Sequence, residues 1–254
     1  MKECTKYVGL DVHKSTIAVA IAEAGSSEVR YHGEIPNTPE QVTKTLRKLS
    51  NSGAKLSVCY EAGPCGYEVY RHLTDQGIDC MVVAPSMIPR KPGDRVKTDR
   101  RDSEMLARLH RAGELTAVWV PSADQEALRD LVRARADFVL LQTQARQRLN
   151  AFLLRHGKRF AGKSKWTQAH FRWLETIKCG FPVQQIVLQE YIDAVTHMQK
   201  RVKTLDKQIE LAGNESTLKP LIQNYMALRG ISRLVATALA AELGDITRLP
   251  MRHS

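Results

Sequence analysis

The sequence predicts an α/β domain, a mixed sheet with flanking helices, followed by an α-helical coiled-coil region. Three observations predict it. To about residue 115 the chain alternates strand-like and helix-like segments. Beyond Ala127 the strand signal disappears and apolar residues recur at helical spacing. With 254 residues, 43% hydrophobic and 26% charged, the chain has globular usage and enough length to bury a core.

The elements follow in order. Residues 7–12 and 16–22 are short β-rich runs separated by His13, Lys14 and Ser15, a connection short enough for a hairpin. Gly25, Ser26 and Ser27 punctuate the next turn, and residues 29–33 form a third strand. Residues 38–50 form a helix, with Pro39 just inside its start and Val42, Leu46 and Leu49 on one face. Residues 55–60 and 78–84 are a fourth and a fifth strand, with a helix over 67–75 between them. A meander that turns into strand–helix alternation is the pattern of a mixed sheet covered by helices.

The second half reads as long helices. Ala127, Leu131, Ala134, Phe138, Leu141, Ala145, Leu149 and Phe152 recur at four-three spacing with one slip, as in a coiled-coil helix with a stutter. A second seam runs through Leu188, Tyr191, Val195, Met198, Val202, Leu205 and Ile209. Two such helices pack antiparallel, either on a shared core or as a dimer seam, with the basic, aromatic stretch 156–181 at their tip. Further on, Leu228-Arg229-Gly230-Ile231-Ser232 leads into a small-residue helix that stops at Gly244, which resembles one helix-hairpin-helix unit, a binder of backbone phosphates. The expected divisions are 1–120 (sheet domain), 121–215 (helical coiled-coil region) and 216–254 (the beginning of a further domain).

Charge points to a polyanion. Lys plus Arg total 38 against 27 Asp plus Glu, a formal net charge of +11. No apolar run approaches the roughly 18 residues of a membrane span, and residues 1–7 carry no signal-peptide pattern. No membrane partner is expected, and the cytoplasm is the expected location. Five cysteines, an odd number without a Cys-x-x-Cys pair, argue against a disulfide framework or a structural zinc site, and reduced thiols are expected. No His-Glu-x-x-His motif and no P-loop occur. Nucleic acid is the expected partner, with Lys14, Arg95, Lys97, Arg100 and Arg101 near the acids described next, Lys158, Arg159 and Lys165 in the basic stretch, and Gly230 in the hairpin turn as the contacts.

Four acids occupy positions suited to chemistry. Asp11 ends the first strand and Glu61 follows the fourth. Asp99 and Asp102 stand three apart at a helix start, so both carboxylates share one face. Acids converging from strand ends and one helix suit two hard divalent cations, which take oxygen ligands and activate phosphodiester chemistry. Singly, each acid also suits a structural role, as a turn former or as a first-turn residue offsetting the helix dipole. As a set, on a strand-rich domain in a basic chain, they favour a metal site.

Gly9-Leu10-Asp11-Val12-His13-Lys14, Tyr60-Glu61-Ala62 and Lys97-Thr98-Asp99-Arg100-Arg101-Asp102, in that order and spacing, resemble the DEDD transposases of bacterial insertion sequences. The segment from Leu228 to Asp245 resembles the opening of that family's second domain. The resemblance implies a RuvC-like, ribonuclease-H-type fold with Asp11, Glu61, Asp99 and Asp102 as catalytic, metal-binding tetrad for two Mg²⁺ ions. It implies DNA recombination guided by a structured RNA and a homo-oligomer, dimer or tetramer, assembled through the coiled coil. Members carry a catalytic serine beyond a Gly-Ile-Gly-like turn. Here that turn reads Gly230-Ile231-Ser232 and the sequence stops at Ser254, so a C-terminally truncated member is expected.

Two other readings remain open. One is a noncatalytic nucleic-acid-binding remnant. The other is an actin-like ATPase or sugar kinase, which also opens on a strand–Asp hairpin but wants a glycine-rich turn where His13-Lys14-Ser15 stands.

Overall fold

The computed structural model describes residues 5–50, 53–89 and 98–244. The chain divides into two compact units, Met1–Val120 and Pro121–Ser254.

In the first unit, β1 (Thr5–Val12), β2 (Thr16–Glu23) and β3 (Val29–Pro36) form an antiparallel meander, and β4 (Lys55–Glu61) and β5 (Asp79–Val83) add in parallel. The strand order is β3-β2-β1-β4-β5. The helices are α1 (Pro39–Ser50), α2 (Glu68–Asp75) and α3 (Asp99–Ala112). This is the mixed sheet with flanking helices that the pattern predicts, consistent with a ribonuclease-H-like fold.

The two faces of the sheet differ because the strands alternate large with small side chains. In β2, Ile17, Val19 and Ile21 join Val8, Leu10, Val58 and Tyr60 in a core closed by Val42, Leu46 and Leu49 of α1 and Leu73 of α2. Burying a side chain of this size contributes about 1.5–3 kcal/mol. The alternate residues Ala20 and Ala22 meet Ala107 of α3 on the other face. Small residues there let α3 lie close against β1 and β2.

Helix α3 starts where the sequence places it. The Thr98 hydroxyl accepts from the Arg101 backbone N–H at 3.3 Å, and Gly113 closes the helix in a left-handed conformation. At its far end, the His110 ring stands edge-on to Tyr7, with Nε2 2.8 Å from the Ser57 hydroxyl, which donates to Asp79 at 2.6 Å.

The second unit is helical: α4 (Ala123–Arg155), α5 (Gln168–Thr176), α6 (Pro182–Glu215), α7 (Lys219–Met226) and α8 (Arg233–Leu243). Leu128 and Val132 from the start of α4 share a core with Ile209 near the end of α6, whereas Leu149 and Phe152 share one with Leu188 and Val195. The two long helices therefore run antiparallel. In α6 the expected seam is buried at Leu188, Val195, Val202 and Ile209, one residue per heptad.

In α4 the expected seam is corrected. Leu141 is 45% exposed and Ala127 is exposed, while Leu128, Val132 and Gln142 are buried. The reason is tertiary: α7 and α8 pack on the first turns of α4 and draw the Leu128 face inward. Arg129, buried there, donates from Nε to the Ala241 carbonyl in the last turn of α8 at 2.9 Å, and Arg133 holds the Glu242 carboxylate through two bonds of 2.8 Å. Among the described residues no helix is long and apolar enough to cross a membrane, and the four described cysteines are free.

Candidate metal centre

Strand parity places two of the acids. On β1, Val8 and Leu10 enter the core under α1 and α2, so Gly9 and Asp11 point to the α3 face. On β4, Val58 and Tyr60 do the same, so Cys59 and Glu61 take the α3 face. The strands are parallel with Leu10 opposite Tyr60, and Asp11 and Glu61 follow these two residues at the same end of the two strands. Both line a cavity of about 640 Å³ together with His13 and Lys14.

The first turn of α3 brings the other two. The His13 Nε2 lies 3.1 Å from Asp11 Oδ2 and 3.4 Å from Asp99 Oδ1. One donor atom from each of Asp11, His13 and Asp99 falls within 4.8 Å of the others, a group able to hold a metal ion. Asp102 follows one turn later, half-buried. Asp11 feels the cluster: burial pushes its carboxyl up, His13 opposes this, and the charges of Asp102 and Asp99 add to the rise. His13 moves up as well; its partial burial works against the cation, but the Asp11 and Asp99 carboxylates outweigh it. The close group is two carboxylates and one imidazole, with Asp102 near enough to act on Asp11 by its charge and Glu61 outside the group; carboxylate oxygens beside a partly desolvated Asp11 fit a hard divalent cation.

The expected nucleic-acid contacts lie in several places. Lys14 is exposed in the β1–β2 turn beside Asp11. Arg100 donates from Nε to Glu104 at 2.9 Å and lies over the Tyr31 ring, and Arg101 is exposed on the first turn of α3. Arg95 and Lys97 fall outside the described residues. In the second unit, Lys158, Arg159 and Lys165 are exposed, and Gly230 sits at φ +87° in the α7–α8 turn.

The sequence pattern gives His13 a place only in the hairpin connection, with no role at the site. The available signal was its place two residues beyond a strand-ending Asp, where a hairpin turns the chain back over the acid. Arg111, in the last turn of α3, donates to the carbonyls of Ser26, Ser27 and Glu28 and fastens the β2–β3 turn.

Comparison with known proteins adds a lineage. A DEDD-type family model described as transposase matches residues 8–157. The chain is 44% identical over 243 residues, 95% of its length, to a protein of Sinorhizobium fredii named putative transposase y4qE, and spans 59% of that protein. It is 34% identical over 241 residues, 94% of its length, to the transposase for insertion sequence element IS1533 of Leptospira borgpetersenii, spanning 70% of it. A probable family 20 transposase of Pseudomonas aeruginosa is 26% identical over 189 residues, 71% of the chain and 54% of that protein.

Proposed function

The chain belongs to the DEDD transposase family, and from that premise we propose that its sheet unit cleaves and joins phosphodiesters of DNA during movement of an insertion sequence. The observation that carries this reading is the gathering of Asp11, His13 and Asp99 within 4.8 Å at the strand end where β4 delivers Glu61. Asp11, Glu61, Asp99 and Asp102 are the proposed ligands of two Mg²⁺ ions. Such ions, when bound, activate an oxygen nucleophile and stabilise the leaving oxygen of a phosphodiester.

The chain's own groups do the rest. Asp11 and Glu61, fixed on adjacent strand ends, hold their positions without a loop motion. Asp99 and Asp102 ride on one rigid helix turn. Lys14 and Arg101, exposed beside them, meet the flanking phosphates and set the register of the strand without reading its sequence. Recombination by the whole protein, guided by a structured RNA and carried out in a homo-oligomer, completes the proposal.

The test is metal uptake and cleavage. Manganese titrated into the chain and followed by electron paramagnetic resonance should bind, and supercoiled DNA should be nicked when magnesium is supplied. Asp11→Asn and Asp102→Asn should each lose both properties. Variants that bind manganese and nick DNA like the parent overturn the assignment.

A further inference from the structure

From residue 138 to residue 174 the chain carries five arginines, three lysines and no carboxylate. This stretch covers the end of α4, the loop after it and most of α5. Such an excess repels its own members unless a polyanion is nearby. Solvated basic faces are common, however, so charge does not by itself make a site.

The rings in this stretch supply the second observation. His170, in the first turn of α5, is fully buried, and neither of its ring nitrogens has a hydrogen-bond partner among the described residues. Rings surround it instead: Trp166 at 5.0 Å, Phe160 at 4.9 Å and Trp173 at 5.4 Å between centroids. A neutral imidazole always carries one donor and one acceptor, and leaving both unmet in an apolar shell is unfavourable. Burial accordingly pushes this histidine's pKa down, with Lys165 adding to the effect.

Against His170 lies a cavity of about 410 Å³, walled by Phe160 and Trp173 and rimmed by Lys158, Arg159 and Lys165. Lys165 donates to the neutral side chain of Asn150 at 3.1 Å, so this bond leaves its positive charge uncompensated. Among the described residues no carboxylate lines the cavity. Beside it, Trp166 holds φ at +66°, a left-handed conformation that costs a bulky residue energy, with the Arg146 guanidinium 5.1 Å from its ring.

Flat apolar walls, a polar group at the floor and cations at the mouth describe a ligand that is planar, aromatic, edged with donors and acceptors, and phosphorylated. We propose that this cavity receives one unstacked nucleotide of a single-stranded nucleic acid, its base laid against the wall that Phe160 and Trp173 form together, their rings 5.3 Å apart, with His170 behind it, and its phosphates on Lys158, Arg159 and Lys165. The volume lies within the range of pockets that enclose a ligand of nucleotide size. A base inside a duplex is stacked on both faces and cannot enter, so the pocket selects a strand that is already open. The inference deepens the nucleic-acid reading above and rests on it.

The test uses the whole chain and four probes: a 12-nucleotide single-stranded DNA, its RNA counterpart, the matching DNA duplex and adenosine monophosphate. Single strands should quench tryptophan fluorescence and bind more tightly than the duplex at equal salt. Whichever of DNA and RNA binds more tightly identifies the source of the nucleotide. Trp173→Ala should weaken single-strand binding by at least about fivefold, the lower end for loss of one base stack, and leave duplex binding within about twofold. Because Trp173 also packs in a core, a measurement on the unaltered chain stands beside it. Single strands carrying 5-iodouracil should photocrosslink within residues 158–173. Crosslinks confined elsewhere, or duplex bound as tightly as single strand, overturn the pocket and leave the transposase reading intact. Adenosine monophosphate bound as tightly as the 12-mers overturns the strand assignment, and failure of all four probes to bind overturns both readings.

Discussion

Gly9 of β1 and Ser103 of α3 meet backbone to backbone: a Cβ built on Gly9 would lie 2.3 Å from the Ser103 carbonyl oxygen and 2.5 Å from the Ala107 nitrogen. No side chain fits in that space. The contact sits two residues from Asp11 along the strand and one residue from Asp102 along the helix, so it sets how near the two acids come.

Gly9→Ala should therefore act on the site through the helix. The methyl group meets backbone atoms, which cannot swing aside, so α3 must shift, and overpacking of this kind costs about 1–3 kcal/mol. A lowered thermal midpoint together with weakened manganese binding is the expected result. A variant with parental midpoint and parental metal affinity would show that the close approach does not position the acids.

His13→Ala should separate the metal-free from the metal-bound protein. The imidazole lies between the Asp11 and Asp99 carboxylates and offsets their repulsion. As a largely exposed contact it contributes no more than about 1 kcal/mol. In chelator the variant should melt below the parent, and added magnesium should raise its midpoint more than it raises the parent's. Equal magnesium-induced shifts in both proteins would sink the idea.

The stability of the sheet unit should fall with acid through His110. Burial pushes the pKa of this ring down, against smaller opposing effects from Asp79 and Ser57. The unfolded chain then takes up the proton first. The stabilisation is complete above the unfolded value of about 6.5 and is lost as pH falls below it toward the folded value. His110→Phe keeps a ring beside Tyr7 and removes the titration. Midpoints measured from pH 7.5 to pH 5 should fall less steeply in the variant, and parallel curves would refute the assignment.

Arg129→Met should loosen the second unit. The guanidinium is buried and satisfies the Ala241 carbonyl, one of the acceptors left open at the end of α8. Methionine fills similar volume but leaves that carbonyl without its donor, a loss of about 1–3 kcal/mol. Hydrogen exchange of the α8 amides should accelerate more than that of mid-α6, and unchanged protection of α8 would contradict this role.

Much of the fold is legible in the chain because it is written at short range. The alternation of Ile17, Val19 and Ile21 with Ala18, Ala20 and Ala22 marks a strand with one bulky and one small face. The heptad Leu188, Val195, Val202, Ile209 marks a helix with a single buried stripe. Asp99 and Asp102 share a helix face for the same geometrical reason. The α4 register was not legible, because Leu128 and Leu141 are equally apolar and the cover over Leu128 comes from α6, α7 and α8, which the local pattern does not name.

The sequence by itself determined the strand-then-helix order, the strand-end positions of Asp11 and Glu61, and the basic, aromatic character of the stretch before α5. Tertiary structure alone decided that His13 falls between Asp11 and Asp99, that Gly9 lets α3 close on β1, and that His170 is enclosed by Phe160, Trp166 and Trp173. Periodicity records which face of an element seeks cover. It carries no information about which distant element supplies that cover, since burial is non-directional and the partner is chosen by the packing of the whole unit.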